Sequence, residues 1–282
     1  MLQNNFEDLF TRRNPNHAFL LSRMRAAMGI EEVKFADINS VNLRAFKDYM
    51  EDEVTANTLK VYNAVICATV REMFNDGLIP NAKCLSVLKV KAEPQQNVCL
   101  TPDEVERMWK YYHRLQRTKE NELTIGVLAL FLCECFTGAR GCDVERFTTD
   151  NIQDGYLVYV SKKTKTLTRV VAHKRLPELF GDIPHREISR MTKNRIIKEV
   201  ARRCGITETI SIFYHGKQRK WQKYRFLGFH CARRSFVSNL IDLNVPISVV
   251  SKMVGHNDVK ITQRYYVNQQ YELPEEALSF FE

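Results

Sequence analysis

Apolar residues fall at three- and four-residue steps through the first 90 residues, and this periodicity commits the front of the chain to helices. Residues 16–27, 40–53 and 55–77 carry it, with a shorter piece near 83–89. Asn75-Asp76-Gly77 and Pro80 are stop signals. The pattern then breaks at residues 90–98 (VKAEPQQNV), which are polar, include Pro94 and fit neither the helical nor the strand period. Residues 93–98 are therefore expected to link two domains, a helical one over 1–92 and a second over 99–282.

The second domain opens on Leu100-Thr101-Pro102-Asp103-Glu104. Thr101 suits an N-cap, Pro102 the first helical position, and Glu104 the far side of a capping box. A helical hairpin is expected to follow, to about Phe136. Residues 156–160 and 168–172 have the composition of two short strands around the basic turn Lys162-Lys163-Thr164-Lys165. Helical spacing returns over 192–204, 230–243, 247–254 and 259–266, with Pro246 and Gly255 between the last three. The expected class is mainly α with a small β-sheet.

Charge separates the two parts. Residues 1–95 carry 12 Lys/Arg and 12 Asp/Glu, whereas the remaining 187 carry 30 and 21 and so hold the whole net charge of +9. A basic excess confined to one part fits a polyanionic partner, and equally a merely soluble basic surface. No apolar run reaches the roughly 18 residues of a membrane span. Residues 1–10 include Glu7 and Asp8 and do not form a secretory signal. The eight cysteines are scattered, as expected of reduced thiols packed as small hydrophobes. Cys133 and Cys135, with Cys142 nearby, lie in or beside the apolar stretch 125–136, which favours packing over metal binding.

Four short segments carry residue types suited to phosphate chemistry. Thr137-Gly138-Ala139-Arg140 closes an apolar helix just before Asp143. An arginine at such a turn can fork two oxygens of one phosphate, or simply pair with Asp143 at the surface. His230 and Arg233 stand three apart and share a helix face, where both could donate to one phosphate; Arg234 is expected to point elsewhere. Val254-Gly255-His256 leads into a last helix bearing Arg264-Tyr265-Tyr266. A phenol is a weak nucleophile at its free pKa of about 10, and fixed positive charge would favour its anion. Alone, each segment fits ordinary capping or packing. Together, two arginines, two histidines, a hairpin lysine and a late tyrosine make a metal-free set for attack on a phosphodiester.

The segments TGARGCDVERF, HCARRSFVSNL and VGHNDVKITQRYY resemble the three signature boxes of the tyrosine recombinases, the integrase, Xer and Cre class. The resemblance covers about residues 100–270. It implies that Arg140 and Arg233 clamp the scissile phosphate, that His230 supports them and moves the tyrosine proton, and that His256 donates to the phosphate. The nucleophile, nine residues beyond the histidine of the third box, would be Tyr265 rather than Tyr266. A lysine of the hairpin turn would protonate the leaving 5′ oxygen. Lys163 fits this best, and Lys165 fits if the loop is one register shorter, because Ala172-His173 stand where the family usually has a proline landmark.

The same resemblance implies a two-domain, C-shaped clamp on duplex DNA, with a helical core-binding domain and a catalytic domain. It implies no cofactor or metal, a 3′-phosphotyrosine intermediate and a homotetramer on two DNA sites. The tail after Tyr266 ends in Ala277-Leu278-Ser279-Phe280-Phe281, apolar and suited to docking on a neighbour. An accessory directionality factor is a further partner of this class. The expected setting is the cytoplasm and nucleoid of a prokaryotic cell, the gene being carried by a phage, mobile element or replicon. Nothing in the sequence resembles an added arm-binding N-terminal domain, which points to a simple Xer-like or mobile-element enzyme. The competing outcomes are a type IB topoisomerase or hairpin-resolving relative, and a DNA-binding regulator without catalysis.

Overall fold

In the computed structural model, residues 5–93, 98–184, 186–214, 217–256 and 258–266 are described, with the side chains of 213, 214, 261 and 264–266 left aside. The chain is mainly helical with small antiparallel sheets, and it divides into two compact units. One unit is Met1–Pro94 with Phe213–Arg219, and the other is Gln95–Ile212 with Lys220–Glu282. Residues 94–97 of the expected linker, and the apolar tail, lie outside the described residues.

The first unit packs four helices. α1 (Phe6–Arg13) starts where the Asn5 side chain accepts a bond from the Asp8 N–H at 2.7 Å, with Glu7 and Asp8 in its first turn and Arg12 and Arg13 in its last. After a single 3₁₀ turn at Pro15–His17 comes α2 (Phe19–Met28), followed by α3 (Ser40–Glu53) and α4 (Ala56–Asn75). Asn39 and Thr55 cap the last two. Phe6, Phe10, Leu20, Met24, Leu43, Phe46, Leu59, Ile66 and Met73 are fully buried and form the core. The helix expected over 16–27 is therefore shorter at its start. Pro15 fits only the tight turn, because its ring cannot continue α1. α1 itself was not anticipated, although Phe6, Leu9 and Phe10 carry the helical spacing.

The second unit is built around one helix. α5 (Pro102–Arg114) starts with the expected capping box: Thr101 Oγ1 accepts from the Glu104 N–H, and Glu104 Oε2 accepts from the Thr101 N–H at 2.7 Å. Glu104 is buried and also holds the buried Lys223 at 2.7 Å, so the same carboxylate fixes a distant loop. α6 (Lys119–Thr137) has almost no polar face from Ile125 on, as a helix packed on all sides requires. It ends at Gly138, whose φ is +64°. A Cβ at this position would also stand 2.4 Å from Phe236 Cδ1, so conformation and space both demand glycine.

α7 (Gly141–Val144) follows, then a three-stranded antiparallel sheet of β1 (Ile152–Gln153), β2 (Tyr156–Val160) and β3 (Leu167–Val171). Tyr156 pairs with Val171 and Val160 with Leu167, which places the expected second strand one residue earlier. Leu157, Tyr159, Thr168 and Val170 face inward. α8 (Leu176–Phe180) and α9 (Arg190–Arg203) come next. A second hairpin, β4 (Thr209–Tyr214) and β5 (Lys217–Gln222), and α8 were not read from the sequence. α10 (Phe229–Asp242), α11 (Ile247–Met253) and α12 (Val259–Tyr266) complete the unit. All eight cysteines are free thiols. No described helix is long and apolar enough to cross a membrane.

Candidate active site

Arg140 is the N-cap of α7 and follows the left-handed turn at Gly138. Its NH1 donates to Ser161 Oγ at 3.0 Å, and Ser161 Oγ donates to Asp143 Oδ2 at 3.1 Å. Asp143 is fully buried; its Oδ1 accepts from the Lys162 N–H at 2.7 Å and from Arg146 NH2 at 2.9 Å. The surface pairing of Arg140 with Asp143 that the sequence allowed is thus replaced by a buried relay through Ser161. The relay ties Arg140 to the start of the β2–β3 turn, where Lys163 stands.

Arg233 is buried on α10. Its NH1 donates to the Gly138 carbonyl at 2.6 Å and its NH2 to the Val254 carbonyl at 2.7 Å. Both carbonyls lie just past helix C-termini, where the peptide dipoles favour a cation. One guanidinium therefore joins α10 to the ends of α6 and α11. Arg234, expected to point elsewhere, lines the same cleft as Arg233. In a loop of Gly255 and His256, His256 Nδ1 lies 2.8 Å from the hydroxyl of Thr262, a fully buried residue of α12. The bond fixes the ring against the helix that carries residues 265 and 266.

Five of the six residues singled out from the sequence, Arg140, Lys163, His230, Arg233 and His256, line this one cleft. They come from four separate segments. Tyr265 lies on α12 by its backbone, and its side chain is outside the described residues. Lys165 stands in the same turn with a φ of +54° but is not among the described residues lining the cleft. His173, at the place of the missing proline landmark, stacks on Phe136 with ring centroids 4.2 Å apart. Glu134, Arg190, Lys193 and Lys198 also line the cleft and were missed. The available signal for Glu134 was a lone carboxyl within an apolar run.

His230 keeps an exposed edge, yet partial burial in the cleft, and then the charges of Arg234, Arg233, Arg190 and Arg140, push its pKa down to about 4. Burial, Arg233, Arg140 and His230 push His256 down to about 4 as well. Both rings are neutral at neutral pH while the cleft holds no anion. Such a histidine, with an ordinary value of 6.5, binds fewer protons folded than unfolded between these limits. Its contribution to stability is complete above about pH 6.5 and is lost as the pH falls toward about 4. The thermal midpoint is expected to drop over this interval, and to drop less steeply in His230→Asn. Equal slopes for the two proteins would contradict the assignment.

A family model, Phage integrase family, matches residues 98–272. No curated protein matches the chain in sequence. Among solved structures, XerH site-specific recombinase bound to palindromic difH in a post-cleavage complex is 14% identical, with a TM-score of 0.68 over 95% of this chain and 80% of that one. A lambda integrase tetramer bound to a Holliday junction gives 15% and 0.65, over 93% and 74%. The Tn1549 transposon integrase with a circular intermediate DNA gives 10% and 0.63, over 98% of both chains. At these identities the structures establish the shared fold, and the family model supplies membership. The chain belongs to the phage integrase family of tyrosine recombinases.

Proposed function

We propose that the protein is a site-specific DNA recombinase that cleaves and rejoins strands through a 3′-phosphotyrosine at Tyr265. The observation that carries this is the convergence of Arg140, Arg233, His230, His256 and Lys163 on one cleft next to the helix bearing Tyr265. Arg233, locked by two carbonyls, is a preorganised charge that need not move when negative charge builds on phosphorus. Arg140 forks the non-bridging oxygens. With Nδ1 held by Thr262, His256 offers Nε2 to the phosphate.

The Tyr265 hydroxyl oxygen bonds to phosphorus and the bond to the 5′ oxygen breaks. The phenolic proton passes to neutral His230, and Lys163 protonates the leaving oxygen. The reverse sequence, with a new 5′ hydroxyl as nucleophile, rejoins the strand without added energy or metal. The basic excess after residue 95 suits a phosphate-dominated interface with duplex DNA. A homotetramer on two sites, and a role in moving or resolving a phage, element or replicon, complete the proposal. Trapping covalent adducts on fragments of the source genome tests it and isolates the site; adducts resistant to denaturant support it, and their absence despite binding refutes it.

The assignment of Lys163 is tested by a substrate whose 5′ bridging oxygen is sulfur, since a thiolate leaves without a proton. Lys163→Ala is expected to cleave the ordinary diester slowly, by about a hundredfold or more, and to recover most of its rate on the sulfur substrate. A lysine that only touches backbone would weaken both alike. Rescue of Lys165→Ala instead would move the role along the turn. Rescue of neither would take the acid out of this hairpin.

A further inference from the structure

α6 is apolar from Ile125 to its end except for Glu134 and the final Thr137. Glu134 is 3% exposed and lines the arginine cleft. Its Oε1 has no hydrogen-bond partner among the described residues. The nearby cations are engaged: Arg233 holds the Gly138 and Val254 carbonyls, and Lys193 is paired with Glu145. Gly141 makes the room, because a Cβ there would stand 2.8 Å from Oε1. No positive φ requires glycine at 141, so the two residues explain one another: the carboxyl occupies the space that a side chain beside Arg140 would fill.

An ionised carboxylate without partners is costly in such a place, and a neutral acid is not. A neutral carboxyl carries an O–H donor. The anion for which the cleft is built offers acceptor oxygens. We propose that Glu134 is a catalytic residue in its neutral form, donating a hydrogen bond to a non-bridging oxygen of the phosphodiester gripped by Arg140 and Arg233. This rests on the reading of the cleft as a phosphodiester site. No proton is transferred. An ionised Glu134 would repel the same oxygen, so phosphodiester binding and Glu134 protonation strengthen each other by the same factor.

The surroundings support the neutral form. Burial pushes the Glu134 pKa well above the carboxylate range, against the pull of Arg233 from α10 and Lys193 from α9, and Glu145 beyond α7 adds to the rise. On its own helix, Cys133 and Cys135 are thiols raised by burial and carry no charge. The cleft is also lined by Arg140, Lys163, Glu187, Arg190, Lys198 and Arg234, and by the imidazoles of His230 and His256.

Two measurements on the full chain test the proposal. The first uses no DNA. The infrared carbonyl stretch of a protonated carboxyl, assigned by its loss in Glu134→Gln, is followed across about pH 6 to 9 with and without dimethyl phosphate, a diester that stays a monoanion throughout. The band is expected to persist at neutral pH and to survive to higher pH when the diester is present. An ionised Glu134 at neutral pH, or a titration that dimethyl phosphate leaves unmoved, overturns the proposal. The second follows adduct formation on the trapped DNA site. The wild-type rate should fall with rising pH, and Glu134→Gln, a donor that cannot ionise, should remove this fall. Glu134→Ala should lose about a hundredfold where the wild-type carboxyl is neutral, and the gap should narrow as the pH rises. Superposable profiles for wild type and Glu134→Gln overturn the proposal while leaving the recombinase reading intact. A wild type that forms no adduct defeats that reading, and the infrared titration still decides Glu134.

Discussion

Tyr265→Phe is expected to bind the recombination site with nearly wild-type affinity and to form no covalent adduct, a loss of roughly four orders of magnitude or more. Affinity at such an interface comes mostly from many phosphate contacts, to which one hydroxyl adds little. α12 is held at the cleft by Thr262, fully buried and 2.8 Å from His256 Nδ1, one turn before residues 265 and 266. The substitution leaves Thr262 and His256 unchanged. Tyr266→Phe is the control and should keep its activity. Adducts in Tyr265→Phe, lost instead in Tyr266→Phe, would reassign the nucleophile.

Arg140→Lys is expected to lower cleavage by at least about a hundredfold with little change in thermal stability. The charge is kept, but a single ammonium cannot fork two phosphate oxygens and also hold Ser161 Oγ. The loss therefore strikes the clamp and the turn of Lys163 together. Arg140 is half-buried and bonds only Ser161 among the hydrogen bonds described, so its replacement leaves the core intact. Arg233 is a poorer probe. Its removal would leave the Gly138 and Val254 carbonyls unpaired in the interior, at about 1–3 kcal/mol each. Activity of Arg140→Lys within a few-fold of wild type would remove Arg140 from the phosphate.

What was legible beforehand follows the reach of each interaction. Thr101 and Glu104 form their capping box within three residues, and α3 runs over residues 40–53 as its spacing requires. The cleft residues were found because their segments match a family pattern; their local contacts alone fit ordinary packing. Residues linked across the fold were misread or missed. Asp143 looked like a surface partner because its burial depends on Ser161 and Lys162, 18 and 19 residues away. Arg234 lines the cleft against expectation because helix position alone does not show which face of α10 its neighbours leave open. β5 carries Lys217, Arg219 and Lys220 with no apolar alternation, so its pairing with β4 left no local trace. Glu134 was passed over because its setting is made by Gly141, Arg233 and Lys193 together.

In the proposed mechanism one residue, Tyr265, becomes joined to DNA. The most direct test is to trap the protein on its site, digest protein and DNA, and identify by mass spectrometry the residue that bears the nucleotide. A 3′-linked nucleotide is expected on Tyr265 and none on Tyr266. A nucleotide on any other residue, or a protein that binds the site and yields no modified peptide, would contradict it.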